Sequence, residues 1–134
     1  MKFLWPIILV AFVNPCVLQA KIFVIANSKI EIKKVSKKEI RKLFLGKSNS
    51  LGGVRVLPIN QNKHKKAYLL FSDLVLGKSL KQLERYWARK IFTGQGLPAQ
   101  AKDDVVSYVS ETPNTISYTQ EKPKKGVSII GEFN

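Results

Sequence analysis

The residues that carry most protein chemistry are few in this sequence, and their neighbours argue against catalysis. His64, the one histidine, lies between Lys63 and the pair Lys65 and Lys66, whose positive charges disfavour a second proton on the imidazole. No general-acid or general-base partner is visible for it. The adjacent carboxylates at residues 103–104 would point about 100° apart on a helix, so they suit a helix start better than an acid/base pair. We therefore interpret His64 as a surface residue.

Other motifs argue against metal, nucleotide and cofactor sites. The sequence has one cysteine, Cys16, and one histidine, too few for a zinc site built from several such ligands. The segment Gly94-Gln95-Gly96 lacks the third glycine of a dinucleotide-binding fingerprint, and it follows a helical pattern. We predict a protein that is not an enzyme, with no catalytic residue, no metal site and no cofactor.

Positive charge is the strongest signal in the composition. The 134 residues include 23 Lys and Arg but only 9 Asp and Glu, a formal net charge of +14. Such an excess predicts anionic partners. The basic residues are concentrated at residues 33–38, 63–66 and 122–125, and solvated surface remains an open interpretation of all three clusters.

The second cluster is distinguished by its position between a predicted strand and a predicted helix. There, backbone N–H groups and the helix dipole converge with side-chain charge, which favours an anion. In α/β domains, ligands also tend to lie beyond the carboxyl ends of strands. We predict an anion site in which Lys63 and Lys65 supply charge while Asn60 and Asn62 supply hydrogen bonds.

The first twenty residues have the pattern of a secretory signal peptide. Lys2 is followed by an apolar run at residues 3–13, too short to span a hydrocarbon core of about 30 Å, and Ala20 suits a cleavage site. We predict a signal peptide at residues 1–20 and a periplasmic domain at residues 21–134, with no transmembrane segment after cleavage. A retained N-terminal anchor is the alternative.

The elements that must position the candidate site alternate between strand and helix. Residues 21–26 form an apolar run typical of a strand buried on both faces. A capping box at Ser36 and Glu39 predicts a helix that ends at Gly46. A second strand is predicted at residues 54–59, with Pro58 placing it at a sheet edge.

Two successive helices follow, over residues 67–75 and from the cap Ser79 to Ile91. Their spacing predicts Phe71 and Trp87 as buried anchors, with Leu80 and Ile91 also facing inward. Residues 103–104 open a short helix, and residues 115–119 and 127–130 read as strands. The pattern predicts a single compact α/β domain of about four strands and four helices.

Several motifs resemble the short exported relatives of the phosphate-binding protein of ABC transporters. The matching residues run through most of residues 21–134 in order: Ser36-Lys37-Lys38-Glu39-Ile40-Arg41, Phe44-x-Gly46-Lys47, Val75-Leu76-Gly77-Lys78-Ser79, Tyr86-Trp87-Ala88-Arg89-x-Ile91-Phe92-Thr93-Gly94 and Thr112-Pro113-x-x-Ile116-x-Tyr118. This resemblance implies a type 2 periplasmic-binding-protein-like fold and phosphate as ligand. Relatives usually carry serine in the turn where this chain has residues 60–65, and a full receptor needs two lobes.

Two functions stay open at this point. One is an exported, non-enzymatic solute-binding-like protein that binds phosphate or a similar small oxyanion and works with a membrane transporter or envelope complex. The other is a basic interaction protein of the cell envelope that has lost its ligand and contacts an anionic polymer or a membrane-bound complex. Aromatic residues are scarce among the lysine clusters, which disfavours nucleic acid as a partner.

Overall fold

The computed structural model of the protein describes residues 20–123 and 126–134. The predicted signal peptide falls on residues 1–19 and part of the third basic cluster on residues 124–125, outside the described residues. The described elements are β1 (Ile22–Asn27), α1 (Lys37–Phe44), β2 (Ser50–Leu51), β3 (Val54–Arg55), β4 (Leu57–Pro58), β5 (Asn60–Gln61), α2 (Lys66–Phe71), α3 (Leu80–Phe92), β6 (Ala101–Lys102), α4 (Val105–Glu111), β7 (Thr115–Thr119) and β8 (Val127–Phe133). Helix α2 continues directly into a π-helical turn at Ser72–Leu76, so the helix predicted over residues 67–75 is divided between two helical forms.

A mixed four-stranded sheet forms the centre of the fold, in the order β4-β7-β1-β8. Strand β1 pairs antiparallel with β7 and β8, and β4 pairs parallel with β7. All six residues of β1 are buried, as their continuous apolar run predicts. Strand β4 lies at the sheet edge, which confirms the position expected of Pro58.

The two faces of the sheet pack against different helices because successive residues of a strand point to opposite sides. On one face, Ile22, Val24 and Ala26 of β1 join the main core with apolar residues of α1 and α2. On the other face, Ile25 packs with Val105 and Val109 of α4. The result is a mixed α/β architecture with four helices in the described residues.

Side-chain caps fix three of the helix starts where the sequence predicts them. The Ser36 Oγ accepts a hydrogen bond from the Glu39 backbone N–H at 3.2 Å, and Ser79 forms a complete capping box with Gln82. Asp104 caps α4 by accepting from the Ser107 N–H at 3.1 Å. These bonds satisfy amide groups that would otherwise lack a partner in the first helical turn.

The strand predicted at residues 54–59 is instead divided between two sheets. Strand β3 pairs with β2, whereas β4 joins the central sheet. At the residue between them, the Val56 N–H donates to the Asn49 carbonyl at 3.0 Å, outside the β4–β7 ladder. Apolar residues run without a break from Val56 to Ile59, so the sequence gives no sign of the change of partner.

The apolar stripe of α3 is only partly covered, which makes one expectation wrong. Leu83 is its one buried residue; Trp87 is half-buried, and Leu80 and Ile91 are 43% and 50% exposed. In contrast, Phe71 is 1% exposed, as predicted. Helical spacing identifies an apolar face, but it does not ensure that another element covers that face.

Candidate functional site

The predicted anion site lies on the turn between β5 and α2. Lys65 is the N-cap residue of α2, with extended backbone angles and no side-chain cap hydrogen bond. The other three helices each have such a cap. The first-turn amide groups of α2 are therefore not engaged by a side-chain cap, and the lysines at residues 63–66 are exposed beside them.

Asp103 accepts hydrogen bonds from two of the four residues predicted for the anion site. The Lys65 ammonium donates to the Asp103 backbone carbonyl, and the Asn62 Nδ2 donates to the Asp103 carboxylate at 3.5 Å. The Asn62 Oδ1 accepts from the His64 N–H at 3.4 Å. A carboxylate thus stands beside the predicted anion site, where it would weaken attraction to an anion.

The third predicted residue, Asn60, is half-buried, and its side-chain oxygen bonds within the fold. Its Oδ1 accepts from the Tyr118 hydroxyl and from the Gln61 N–H. Burial raises the pKa of Tyr118 well above its ordinary value, so this hydroxyl remains a donor at alkaline as well as neutral pH. Lys63, the fourth residue, is exposed, and the structure gives its ammonium no hydrogen bond or ion pair within the described residues.

Gln61 is a buried polar residue that the sequence did not single out. It is 5% exposed, and its Nε2 donates to the Tyr118 carbonyl at 2.9 Å. Its Oε1 is a buried side-chain oxygen with no hydrogen-bond partner in the described part of the chain. Nothing local distinguishes Gln61 from the polar residues on either side of it, because its burial depends on the pairing of β5 with β6 and the packing of β7.

A cleft of about 540 Å³ opens between this turn and α3. The turn contributes Asn60, Gln61, Lys63 and His64 to one wall, and Trp87 stands on the α3 side. The rest of the lining is mainly apolar and includes Tyr68, Leu80, Leu83, Glu84, Ala88, Ile91, Pro98, Ala99 and Ala101. The cleft therefore offers a few polar groups at one end of an apolar wall, the usual make-up of a small-ligand site.

Glu84 is the one carboxylate among the residues that line the cleft, since Asp103 lies outside the lining. Burial, and then the negative charge of Glu84, raise the pKa of Tyr68. The cationic Lys63 and the acidic Glu84 thus line the same cavity. A bound anion would be attracted most strongly by the turn, where Lys63 lies, and least by the α3 wall, where Glu84 lies.

Trp87 lies between this cleft and a second one of about 400 Å³. The second cleft is bounded by α1, β4 and the segment at residues 96–100. Trp87, Pro98 and Ala99 line both. This double exposure explains why Trp87 is not the buried anchor that its spacing predicts.

The described residues contain no group of three or more His, Cys, Asp or Glu residues placed to hold a metal ion. No helix among them is both long and apolar enough to cross a membrane.

Solved structures of phosphate-binding proteins share this fold. One is a protein from Clostridium perfringens assigned as a phosphate ABC transporter substrate-binding protein, solved with bound phosphate. It matches at a TM-score of 0.64 and 15% identity, over 81% of this chain and 43% of that one. An ABC-type phosphate transport receptor from Vibrio cholerae matches at a TM-score of 0.62 and 11% identity, over 81% of this chain and 44% of the receptor. PstS from Borrelia burgdorferi matches at a TM-score of 0.56 and 20% identity, over 73% of this chain and 39% of PstS.

These comparisons show the fold. The chain has the periplasmic-binding-protein-like fold of phosphate-binding proteins, and it spans about two fifths of the length of the three structures. No protein-family model matches the sequence, and no curated protein matches it.

Proposed function

We propose that the protein is an exported, non-enzymatic solute-binding protein that holds phosphate or a similar small oxyanion at the turn formed by Asn60, Asn62, Lys63 and Lys65. The observation that carries the proposal is the 540 Å³ cleft, which Asn60 and Lys63 line beside the start of α2. The likeness in fold to solved structures of phosphate transport proteins supports phosphate as the first ligand to test.

The turn suits an anion for two physical reasons. Side chains leave the first amide groups of α2 uncapped, and the helix dipole adds partial positive charge there. Lys63 has no partner within the described residues, so its ammonium is free to follow a ligand. Lysine acts as a mobile point charge and Asp103 lies close by, so we expect micromolar to millimolar affinity that falls as salt rises.

Binding would require one local rearrangement. The Lys65 ammonium would exchange the Asp103 carbonyl for the anion, and the Asn62 amide would release the Asp103 carboxylate. Both side chains carry donors, so neither change needs a new protonation state.

Titration calorimetry with inorganic phosphate, and separately with sulfate, tests the proposal. Lys63→Ala with Lys65→Ala is expected to weaken phosphate binding by about tenfold or more. Lys33→Ala with Lys34→Ala removes the same charge from another exposed pair and should change binding by about twofold at most. Equal losses in the two double variants would mean attraction by net charge without a site.

Export is the second part of the proposal. Mass spectrometry of the mature protein should find its N-terminus at or next to Lys21, and an ABC transporter is the membrane partner that the fold neighbours suggest. Recovery of the intact chain from the cytosol would contradict export.

The ligand-free interaction protein remains a second candidate because of Asp103. Its carboxylate and carbonyl already occupy Asn62 and Lys65, as expected if the turn no longer serves an anion. A parent protein that binds no small anion, and yet binds a polyanion in the same calorimeter, would favour this candidate.

A further inference from the structure

The far end of α3 exposes large apolar side chains next to one another in the chain. Phe92 is 92% exposed, Leu97 is 75% exposed and Ile91 is 50% exposed. Phe92 is the last residue of α3, and the Gly94 N–H then bonds to the Ile91 carbonyl at 3.1 Å as the chain turns towards Leu97. Single exposed apolar residues are common, but several close together in the sequence near one helix end indicate a surface that meets an apolar phase. We call Ile91, Phe92 and Leu97 the α3 tip.

Basic residues predominate around the α3 tip, and the nearest carboxylates in the sequence are Glu84, which lines a cleft with Ile91, and Asp103. From Arg85 to Lys102 the sequence contains four basic residues and no Asp or Glu. Arg85 and Arg89 are exposed. Arg55 joins them in space, since it lines the same 400 Å³ cleft as Leu97. In the described part of the chain the one ion pair joins Lys21 and Glu132, so none of these tip cations is neutralised by a carboxylate there.

We propose that the α3 tip inserts into the interface of an anionic lipid bilayer. Exposed Phe and Leu surrounded by Lys and Arg are the two components of interfacial binding, namely apolar burial below the headgroups and attraction to anionic lipid. The long basic side chains keep their charges at headgroup level while the apolar residues enter. Phe92 and Leu97 do not line the cleft of the proposed anion site, whereas Ile91 lies on its α3 wall.

The charge pattern favours a bilayer over a second copy of the chain. A second copy would bring the same unpaired arginines and its own net charge of +14 against this surface. Like charges pressed together at an interface oppose association. An anionic lipid surface carries the opposite charge over its whole area, and it needs no matching pocket for Phe92.

Sedimentation with vesicles tests the proposal on the full-length chain. The measured quantity is the partition onto vesicles of phosphatidylglycerol and phosphatidylcholine divided by that onto phosphatidylcholine alone. Residues 1–20 are identical in every variant, and their apolar run distinguishes the two lipids little. The parent ratio should lie well above one and fall as salt rises.

Phe92→Ser with Leu97→Ser is expected to lower the partition onto phosphatidylglycerol vesicles by about tenfold. Leu69→Ser changes an apolar residue that is 45% exposed on α2 and should leave the partition within about twofold of the parent. Arg85→Ala with Arg89→Ala should lower the ratio of the two partitions, and Lys33→Ala with Lys34→Ala should lower it less.

Three results would overturn the proposal. They are a parent ratio near one, equal partition of the parent and the double-serine variant, or a parent that leaves the vesicles and instead self-associates through the tip in light scattering. Inorganic phosphate, added at matched ionic strength, should not displace the protein from vesicles. Displacement would assign the binding to the phosphate site at residues 60–65 and to lipid headgroups held there.

Discussion

The ring of Phe71 lies flat against the ring of Tyr118, with the ring centroids 3.7 Å apart and the planes within 3° of parallel. Phe44 meets both rings edge-on, at 4.8 Å and 5.6 Å. This aromatic group joins α1, α2 and β7 at the centre of the main core. The Tyr118 hydroxyl then donates to Asn60, so the packing of the core also holds the first residue of the candidate site.

Phe71→Ala is expected to lower the free energy of unfolding by about 3–5 kcal/mol, because it removes a buried ring and leaves a cavity beside Tyr118. Urea denaturation measures the change. Phe92→Ala deletes the same atoms from a side chain that is 92% exposed, so its effect should stay within about 0.5 kcal/mol. Similar losses in the two variants would contradict the packing described for Phe71.

Tyr118 should make stability fall at high pH. Burial raises its pKa above the ordinary 10.0, so above pH 10 the unfolded chain loses this proton while the folded chain keeps it. The contribution of Tyr118 to the free energy of unfolding is constant below pH 10. Above it, the free energy of unfolding should fall by about 1.4 kcal/mol per pH unit from this residue.

Tyr118→Phe removes the titrating hydroxyl and should flatten that fall. The comparison is made on urea curves at several values between pH 9 and pH 11. At neutral pH the same variant should cost about 1–3 kcal/mol, because Asn60 loses a buried donor. Tyr68→Phe changes a half-buried hydroxyl and should alter the slope less. An unchanged slope in Tyr118→Phe would mean that other groups cause the alkaline loss.

Local signals predicted the parts of the fold that depend on local chemistry. Ser36, Ser79 and Asp104 cap helices where the sequence placed them, and the burial of β1 follows from its apolar run. The outward apolar residues of α3 could not be predicted in the same way. Whether Trp87 is covered depends on which elements pack beside it, and the helical period contains no information about that.

The candidate site likewise has parts that local signals predict and parts that they do not. The polar turn and its position before α2 follow from the sequence, because a strand pattern ends at Ile59 and a helical pattern begins at Ala67. The parts contributed by distant residues do not. Asp103 reaches Asn62 and Lys65 only through the pairing of β5 with β6, and Tyr118 reaches Asn60 only through the central sheet.

Helix α3 should open more readily than α1 and β1. It buries one residue, Leu83, whereas α1 buries three and β1 buries all six. Native-state hydrogen exchange should therefore show α3 amides exchanging about tenfold or more faster than those of β1. The amides of α1 serve as the helical reference and should be the better protected. Equal protection of α3 and β1 would contradict the loose attachment.

Helix α3 contacts the residues that follow α1, where Trp87 packs beside Gly46. The Tyr86 hydroxyl and the Lys90 ammonium both donate to the Leu45 carbonyl, at 2.6 Å and 3.0 Å. Gly46 has a φ of +72°, and a Cβ placed there would lie 3.3 Å from the Trp87 ring. Gly46→Ala should therefore carry the left-handed backbone cost of about 1–2 kcal/mol and also displace the indole.

Gly94→Ala isolates the backbone cost. Its φ is +70°, and nothing lies within 4 Å of a Cβ at that position. Thermal unfolding should rank Gly46→Ala as the more destabilising change. In a Trp87→Ala background the two alanine variants should cost the same, because the ring that distinguishes them is gone. An excess cost at Gly46 that survives the loss of the indole would show that contact with the Trp87 ring is not its cause.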